Sequence, residues 1–316
     1  MTRHSLSLAL IAAVVLATPL GAQRARLAVE PAAPAPGTLV RLALVDSVGP
    51  GSAAPADTIV EVCGTMAGEP LHFSRAPLGW RAIGAVPIDS TDSTRIEAIV
   101  ERASGRADTL HLSIEPPPLP PPSEKLDVAP RFGQPLDSAT QARVDSEVAR
   151  ADAIGRRSHD TPRLWREPFT APRSSTITSR FGKGRVFNGT VSSRHLGVDF
   201  RGASGDPVRA ANRGVVALVD TTYLGGRVVY VDHGEGIVTA YMHLSKALVA
   251  AGDTVARGQR IGLVGATGRV TGPHLHWAAR YGALTVNPLG LLELSASPAR
   301  GRPSSRSPSA RSRAPR

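Results

Sequence analysis

Two histidines stand two positions apart in the segment GPHLHW, residues 272–277, between a turn-forming Gly-Pro pair and a tryptophan. Because side chains alternate between the two faces of a β-strand, His274 and His276 should point to the same side. Two imidazoles on one face can bind a metal ion or divide proton transfer between them. Ordinary strand histidines are the alternative, since an H-x-H spacing also arises by chance.

A second pattern lies upstream, in the segment HLGVD. Its Gly197 and Val198 favour a turn that enters a strand, so that His195 and Asp199 can converge through a bend. Catalytic zinc usually takes three protein ligands from His, Asp and Glu and keeps a fourth position open. His195, Asp199 and one histidine of the later strand would supply that set. The other histidine of the pair, with His243 of the segment YMHL, would remain free for proton transfer.

Other chemistries lack the residues they need. Cys63 is the single cysteine, which excludes a disulfide within the chain and a zinc site made of thiolates. We expect this residue to be a small buried hydrophobe in a strand. Neither the H-E-x-x-H signature of helical zinc sites nor the G-x-S-x-G motif of serine hydrolases occurs. Metal chemistry is therefore confined to histidine and carboxylate ligands.

Short strands would have to position these residues. Between residues 168 and 297, β-branched runs of strand length alternate with glycine turns, which predicts a compact antiparallel β domain. The runs are residues 213–220, 227–234, 236–244, 259–267 and 273–280.

Residues 23–116 predict a second, smaller β domain. Four strand-like runs, residues 38–45, 57–64, 95–102 and 108–115, are separated by clusters of Gly, Pro and Ser. Strands at this spacing suggest a β-sandwich of immunoglobulin type. The isolated His72 and His111 are interpreted as surface or strand residues. The fold class predicted for the whole chain is therefore mainly β.

Residues 117–167 predict a linker that contains one helix. The proline run at 116–122 favours a stiff polyproline II spacer. Residues 136–157 are free of helix breakers and predict a helix, with Asp137 or Ser138 as its N-cap.

The two ends of the chain predict export and a disordered tail. Residues 1–22 combine a short basic start, an apolar run at 6–17 and small residues, which predicts a signal peptide; an uncleaved anchor is the alternative. After its removal no stable membrane span is expected. Residues 298–316 contain six arginines and no acid, and we expect this tail to be disordered. It suits an anionic envelope surface, or it is solvated without a partner.

The net charge of +11 arises largely from that tail, so the folded part is only mildly basic. Basic residues interleaved with aromatic ones, as nucleic-acid binding requires, do not occur. We therefore expect no nucleic-acid partner.

Residues 170–292 resemble the lysostaphin/LytM-type zinc metallopeptidases, which cut peptidoglycan peptides and have the duplicated hybrid motif fold. The resemblance rests on the ordered segments RHLGVDF, GDPVRAANRGVV, VDHGEGIVTAYMHLS and TGPHLHW. Residues 78–116 resemble, less specifically, the immunoglobulin-like domain that precedes many bacterial members.

The resemblance implies a role for each histidine of the patterns above. His195, Asp199 and His276 would bind one zinc ion per chain. His243 and His274 would flank the metal-bound water, one accepting its proton and the other acting on the oxyanion or the leaving amine. How these two tasks are divided stays open at this point.

Three further residues follow from the same resemblance. His233, in the segment DHGEG, would be a structural residue or one that supports a ligand. Asn188 and Arg185 precede the first ligand and would contact substrate, or else make loop hydrogen bonds.

The function implied is that of an exported zinc endopeptidase that cuts peptide cross-links of peptidoglycan in the periplasm, in the cell envelope or outside the cell. The alternative is a peptidoglycan-binding or amidase-activating module of the same fold without catalysis, although the complete ligand set argues against it. A third hypothesis concerns latency, in which residues 124–170 lie across the cleft and block it.

Overall fold

The computed structural model describes residues 24–47, 57–89 and 92–294. The predicted signal peptide and the predicted basic tail lie outside these described residues. Within them, no helix combines the length and the apolar character that a membrane crossing requires.

The N-terminal part is a pair of four-stranded antiparallel sheets, ordered β1-β2-β6-β5 and β4-β3-β7-β8. The strands are β1 Arg24–Glu30, β2 Leu39–Ser47, β3 Ile59–Met66, β4 Glu69–Pro70, β5 Ser74–Ala76, β6 Gly79–Ala85, β7 Thr94–Arg102 and β8 Ala107–Ile114. Leu42 of one sheet packs with Met66 and Ile96 of the other in a shared buried core. Burial alternates along β7, as expected for a strand with one face in that core. The immunoglobulin-like assignment stays a prediction.

Two expectations for this part are wrong. Cys63 is exposed, because it occupies an outward position of β3 whose neighbour Val62 faces the core. His72 is not isolated, since its Nε2 atom lies 2.8 Å from Nδ1 of His159, 87 positions further along the chain.

The segment between the two β parts is packed against the C-terminal part. It contains β9 Glu124–Leu126, a 3-10 helix at Pro130–Phe132 and the helix α1 Ser138–Ser158. The predicted helix is confirmed, and Asp137 caps it by accepting a hydrogen bond from the Thr140 backbone N–H at 2.8 Å. Ala151 and Ile154 of α1 are buried against the C-terminal sheet.

The C-terminal part is built on a ten-stranded sheet. The C-terminal part contains the elements β10 Ile177–Ser179, β11 Gly184–Phe187, β12 Val191–Arg194, β13 Val198–Arg201, β14 Pro207–Arg209, β15 Gly214–Thr222, β16 Gly226–Gly234, β17 Ile237–Ala247, β18 Thr254–Val255, β19 Arg260–Val264, β20 His274–Tyr281, β21 Leu284–Val286 and the helix α2 Leu289–Leu294. The main order is β10-β13-β20-β17-β16-β15-β18, with β14, β19 and β21 attached beside it. The strands of this sheet pair antiparallel, and the prediction of a mainly β fold is confirmed.

A smaller sheet adjoins this one, in the order β12-β11-β9. In it β9 pairs parallel with β11, so a strand of the predicted linker belongs to the C-terminal part.

Three neighbouring strands carry the predicted site. Antiparallel pairing places Asp199 of β13 opposite His276 of β20, and His276 opposite Met242 of β17. Leu275 and Trp277 are buried in the core on the far face of β20. His274 and His276 therefore share the opposite face, as the period of two predicts.

Candidate metal centre

Three of the predicted ligands meet at one point. His195 Nε2 lies 3.0 Å from Asp199 Oδ1 and 3.0 Å from His276 Nδ1, and the latter two atoms are 2.9 Å apart. These atoms form one group that could hold a metal ion. Glycine at position 197 allows the ring of His276 to lie this close, because the Cβ of any other residue there would stand only 2.5 Å from His276 Nε2.

The tautomer of His195 leaves a lone pair for a metal. Its Nδ1 atom lies 2.9 Å from the Arg180 carbonyl oxygen. Because a carbonyl can only accept, Nδ1 carries the proton and Nε2 faces the other two ligand atoms unprotonated.

The donor set fits zinc. Tetrahedral zinc with bonds of about 2.0–2.1 Å to nitrogen and oxygen places its ligand atoms about 3.3 Å apart. The observed separations of 2.9–3.0 Å need only a small expansion. Two imidazoles and one carboxylate, without sulfur, are a usual ligand set of catalytic zinc.

Asp199 is held as a carboxylate. Burial alone would raise the pKa of its carboxyl group, but the adjacent His195 and His276 hold that pKa far below its usual range. Its second oxygen, Oδ2, accepts a hydrogen bond from Arg185 at 2.7 Å. Burial lowers the pKa of His276 to about 4, against the opposing effect of Asp199, so this imidazole is neutral at pH 7.

Arg185 connects Asp199 to the predicted linker. Its Nε atom donates to the Glu124 carboxylate of β9 at 2.9 Å, and its terminal nitrogen donates to Asp199. The same Glu124 carboxylate accepts hydrogen bonds from Lys183 and from Ser179, both at 2.9 Å. The guanidinium of Arg185 is thus shared by two carboxylates, which is the geometry of a residue that orients a ligand.

His243 and His274 lie beside the three ligand atoms. The ring of His243 is centred 4.9 Å from that of His274 and 5.8 Å from that of His276. His243 Nδ1 donates to the Thr267 carbonyl at 2.8 Å, and His274 Nδ1 donates to the Gly272 carbonyl at 2.9 Å. Each ring is therefore fixed with Nε2 available to the site, and His274 Nε2 lies 3.6 Å from Asp199 Oδ1.

His243 has a strained backbone. Its φ of +63° lies in the left-handed region, which is uncommon for a residue other than glycine. Its N–H donates to the Gly225 carbonyl at 2.8 Å, so the strain serves to hold this residue against the loop between β15 and β16. Burial lowers the pKa of His243 well below the usual value, and the nearby His276 and His274 add to this effect.

The remaining predicted residues have other partners. Asn188 donates to the Val128 carbonyl and accepts from the Val128 N–H, at 3.0 and 2.9 Å, which corresponds to the loop role. His233 Nδ1 lies 2.7 Å from the Arg213 carbonyl, and Nε2 lies 2.8 Å from the Thr239 hydroxyl. Neither of these two side chains is bonded to a predicted zinc ligand.

Two clefts meet at the site. One, of about 480 Å³, runs between α1 and the sheet and includes His243 and His276 in its lining. The other, of about 470 Å³, lies beside β9 and includes Asp199, His243 and His274. Residues of the segment 124–170 form a wall of each cleft. The segment that the latency hypothesis invokes therefore lies beside the site.

Sequence reasoning missed two residues of the site. Glu124 lies in the predicted linker, and a lone glutamate after a run of prolines carries no signal of a charged network. The backbone carbonyl of Thr267 accepts a hydrogen bond from His243 Nδ1, and a backbone acceptor leaves no trace in residue type.

Comparison with known proteins matches the part of the chain that carries the site to a family. Residues 193–288 match the family model described as Peptidase family M23. Over 102 residues the chain is 51% identical to the peptidoglycan DD-endopeptidase ShyA of Vibrio cholerae. The aligned region covers 32% of this chain and 24% of that protein. Over 97 residues it is 42% identical to the DD-carboxypeptidase/endopeptidase Mpg of Neisseria meningitidis, with coverage of 31% and 22%. The chain thus spans about a quarter of the length of these curated relatives.

A solved structure extends the likeness beyond the matched residues. An M23 structure from Pseudomonas aeruginosa aligns with a TM-score of 0.59 and 27% identity, over 82% of this chain and 95% of that one. The similarity in fold therefore includes elements outside residues 193–288.

Proposed function

Because its residues 193–288 match the model of peptidase family M23, we propose that this chain is a zinc-dependent endopeptidase that hydrolyses peptide cross-links of peptidoglycan. The observation that carries the proposal is the convergence of His195, Asp199 and His276, with His243 and His274 beside them. The relatives whose names specify peptidoglycan endopeptidase activity support the choice of substrate.

We assign one zinc ion per chain to His195 Nε2, Asp199 Oδ1 and His276 Nδ1. When bound, zinc supplies Lewis acidity, which acidifies a coordinated water and polarises a scissile carbonyl. The carboxylate of Asp199 makes this ligand set less positive than three imidazoles would be.

The two free histidines receive different tasks. His243 is neutral and its Nε2 can only accept, so it orients the attacking water by accepting a hydrogen bond. His274 Nε2 lies 3.6 Å from Asp199 Oδ1, and because Nδ1 donates to the Gly272 carbonyl, Nε2 carries the lone pair that can accept a proton. We therefore assign to His274 the proton of the water and its later delivery to the leaving amine.

Substitution of the two histidines of GPHLHW should separate metal binding from catalysis. His276→Ala removes a ligand, so it should lose both zinc and the release of cross-linked peptides from purified sacculi. His274→Ala should keep zinc and lose activity by about 100-fold or more, because it removes a proton carrier and no ligand. Metal analysis and chromatography of the soluble products measure the two effects.

Metal removal provides the control. A chelator should abolish digestion by the wild-type protein, and added zinc should restore it. Activity that survives His276→Ala would contradict the assignment of the ligands. A protein purified with almost no zinc would instead favour the non-catalytic module.

We propose that the protein acts outside the cytoplasm. The predicted signal peptide and the cell-wall substrates named for the relatives support this location. Whether residues 124–170 restrain hydrolysis is tested by comparing rates of the whole protein and of a fragment of residues 168–297, since equal rates would end the latency hypothesis.

A further inference from the structure

Arg269 is a cation placed between the two clefts and without an anionic partner among the described residues. Its guanidinium carbon lies 4.1 Å from the centroid of the Phe187 ring, and this stacking fixes its position. The charged side chain whose electrostatic effect on Arg269 is resolved is another cation, Arg185. Burial and the charge of Arg185 lower the pKa of Arg269 to about 10, so it is still protonated at neutral pH.

The other half-buried arginines of the clefts are already occupied. Arg185 is shared by Glu124 and Asp199, and Arg280 is paired with Asp152. Arg194 donates to the carbonyls of Pro120 and Gly182. Arg269 differs from all of these, because its bonding capacity is not used by the described part of the chain.

The position of Arg269 is tied to the reacting groups. It lines both clefts, and His243 is a lining residue of both as well. The loop that carries Arg269 also holds His243, through the carbonyl of Thr267. The backbone N–H of Arg269 donates to the Leu224 carbonyl at 2.8 Å, which anchors the loop on its other side.

We propose that Arg269 binds a free main-chain carboxylate on the residue that supplies the amine of the scissile bond. A guanidinium held by stacking presents a planar pair of N–H donors, which matches a carboxylate. The inference rests on the proposed function and specifies its substrate class.

Elementary peptide chemistry assigns that carboxylate to one side of the bond. The residue that supplies the carbonyl has its main-chain carboxyl group in the scissile bond itself. A free main-chain carboxylate next to the bond therefore belongs to the residue that supplies the amine. In a continuous peptide, such as a glycine bridge, that carboxyl is used in the next peptide bond. Cross-links whose amine-side residue ends in a free carboxylate are thus the preferred class.

Binding to the metal-free protein tests the inference directly. A cross-linked peptide with a free carboxylate on the amine-side residue and its carboxamide analogue are titrated calorimetrically into chelator-treated wild-type protein. The acid should bind about tenfold more tightly than the amide, as expected for one charge-assisted pair. Arg269→Gln should reduce this preference to about one, and Arg269→Lys should keep part of it.

Arg260→Gln is the matched control, because it removes one positive charge at an exposed site that lines neither cleft. This variant should keep the wild-type preference. The inference is overturned if the wild-type protein binds both peptides equally, or if Arg269→Gln retains the preference.

Hydrolysis by the zinc-loaded protein is measured in parallel with the same two peptides. The ratio of kcat/KM for acid over amide should fall to about one in Arg269→Gln. If the zinc-loaded wild-type protein cuts neither peptide but binds the acid preferentially, the proposed function fails while the role of Arg269 stands.

Discussion

At the scale of single residues, backbone carbonyls decide how the histidines can act. His195, His243 and His274 each place Nδ1 on a carbonyl of a loop, which leaves Nε2 for the site. His276 has the opposite orientation and presents Nδ1 to the cluster. Sequence spacing predicted which face these rings share, but not their tautomers, because the acceptors are backbone carbonyls, whose positions the residue types do not reveal.

Substitution of Arg185 distinguishes two roles for this residue, orientation of Asp199 and contact with substrate. If it orients Asp199, as its 2.7 Å contact indicates, Arg185→Met should weaken zinc binding by roughly 10–100-fold. If it contacts substrate, KM should rise while zinc affinity is unchanged. Competition with a chromophoric chelator measures the affinity for zinc.

Lys183→Gln is the control for Arg185. Lys183 bonds to the same Glu124 carboxylate but is more exposed and does not touch Asp199. It should change zinc affinity less than threefold, by the weak energy of an exposed pair. A loss as large as that of Arg185→Met would mean that the negative charge of Glu124, rather than the orientation of Asp199, governs the metal.

His233 predicts a pH dependence of stability. Burial lowers its pKa to about 4, whereas the unfolded chain has the usual value near 6.5. Above pH 7, His233 is largely unprotonated in both the folded and the unfolded state. Between pH 6.5 and 4, the His233 ring binds a proton in the unfolded state but not in the folded state, which favours unfolding. The contribution of His233 to the free energy of unfolding should therefore fall by about 2 kcal/mol between pH 7 and pH 5.

His233→Gln isolates this contribution. Urea unfolding of both proteins at pH 7 and pH 5 should give a smaller pH difference for the variant, by about the same 2 kcal/mol. Equal pH differences in the two proteins would show that another group is responsible.

At the scale of elements, the long strands were predictable and the short ones were not. The runs at 227–234 and 236–244 correspond to β16 and β17, because β-branched and apolar runs between glycine turns are a strong signal for strands. The three residues of β9 follow a run of prolines and form a strand only by pairing with β11. A pairing partner some 60 positions away leaves no local pattern to read.

Helix α1 contains a glycine, Gly155, at which alanine should lower the stability of the protein rather than raise it. Alanine in place of a helical glycine usually stabilises a protein by about 1 kcal/mol. A Cβ at Gly155, however, would lie 1.8 Å from the Gly282 carbonyl oxygen in the turn after β20. Gly155→Ala should therefore destabilise the protein by about 1–3 kcal/mol, measured by urea unfolding.

Ser146→Ala is the matched helix control. Ser146 lies on the exposed side of α1, so the change should stabilise the protein by up to about 0.5 kcal/mol through helix propensity. A gain in stability for Gly155→Ala as well would mean that the helix is not pressed against the turn.

At the scale of the whole molecule, the two β parts share a buried polar contact. Glu69 of the N-terminal part accepts hydrogen bonds from the Ala283 N–H at 2.9 Å and from His159 at 3.0 Å. The ring of His159 stacks on His72, and its edge meets Tyr281. The sequence predicts two domains joined by a spacer. It could not predict this contact, because the polar groups that meet there are separated by 90 to 214 positions.

The pairing of β9 with β11 has a consequence for how the C-terminal part could be moved into another protein. Family comparison begins at residue 193, yet the carboxylate that balances Arg185 comes from Glu124, and Ser123 bonds to the Gly184 carbonyl. A transferable unit that keeps the candidate metal site therefore starts within the proline run, and a cut at residue 193 would remove the Glu124 carboxylate that pairs with Arg185. Grafts that carry residues 120–294 into a new host should inherit the ligand geometry intact.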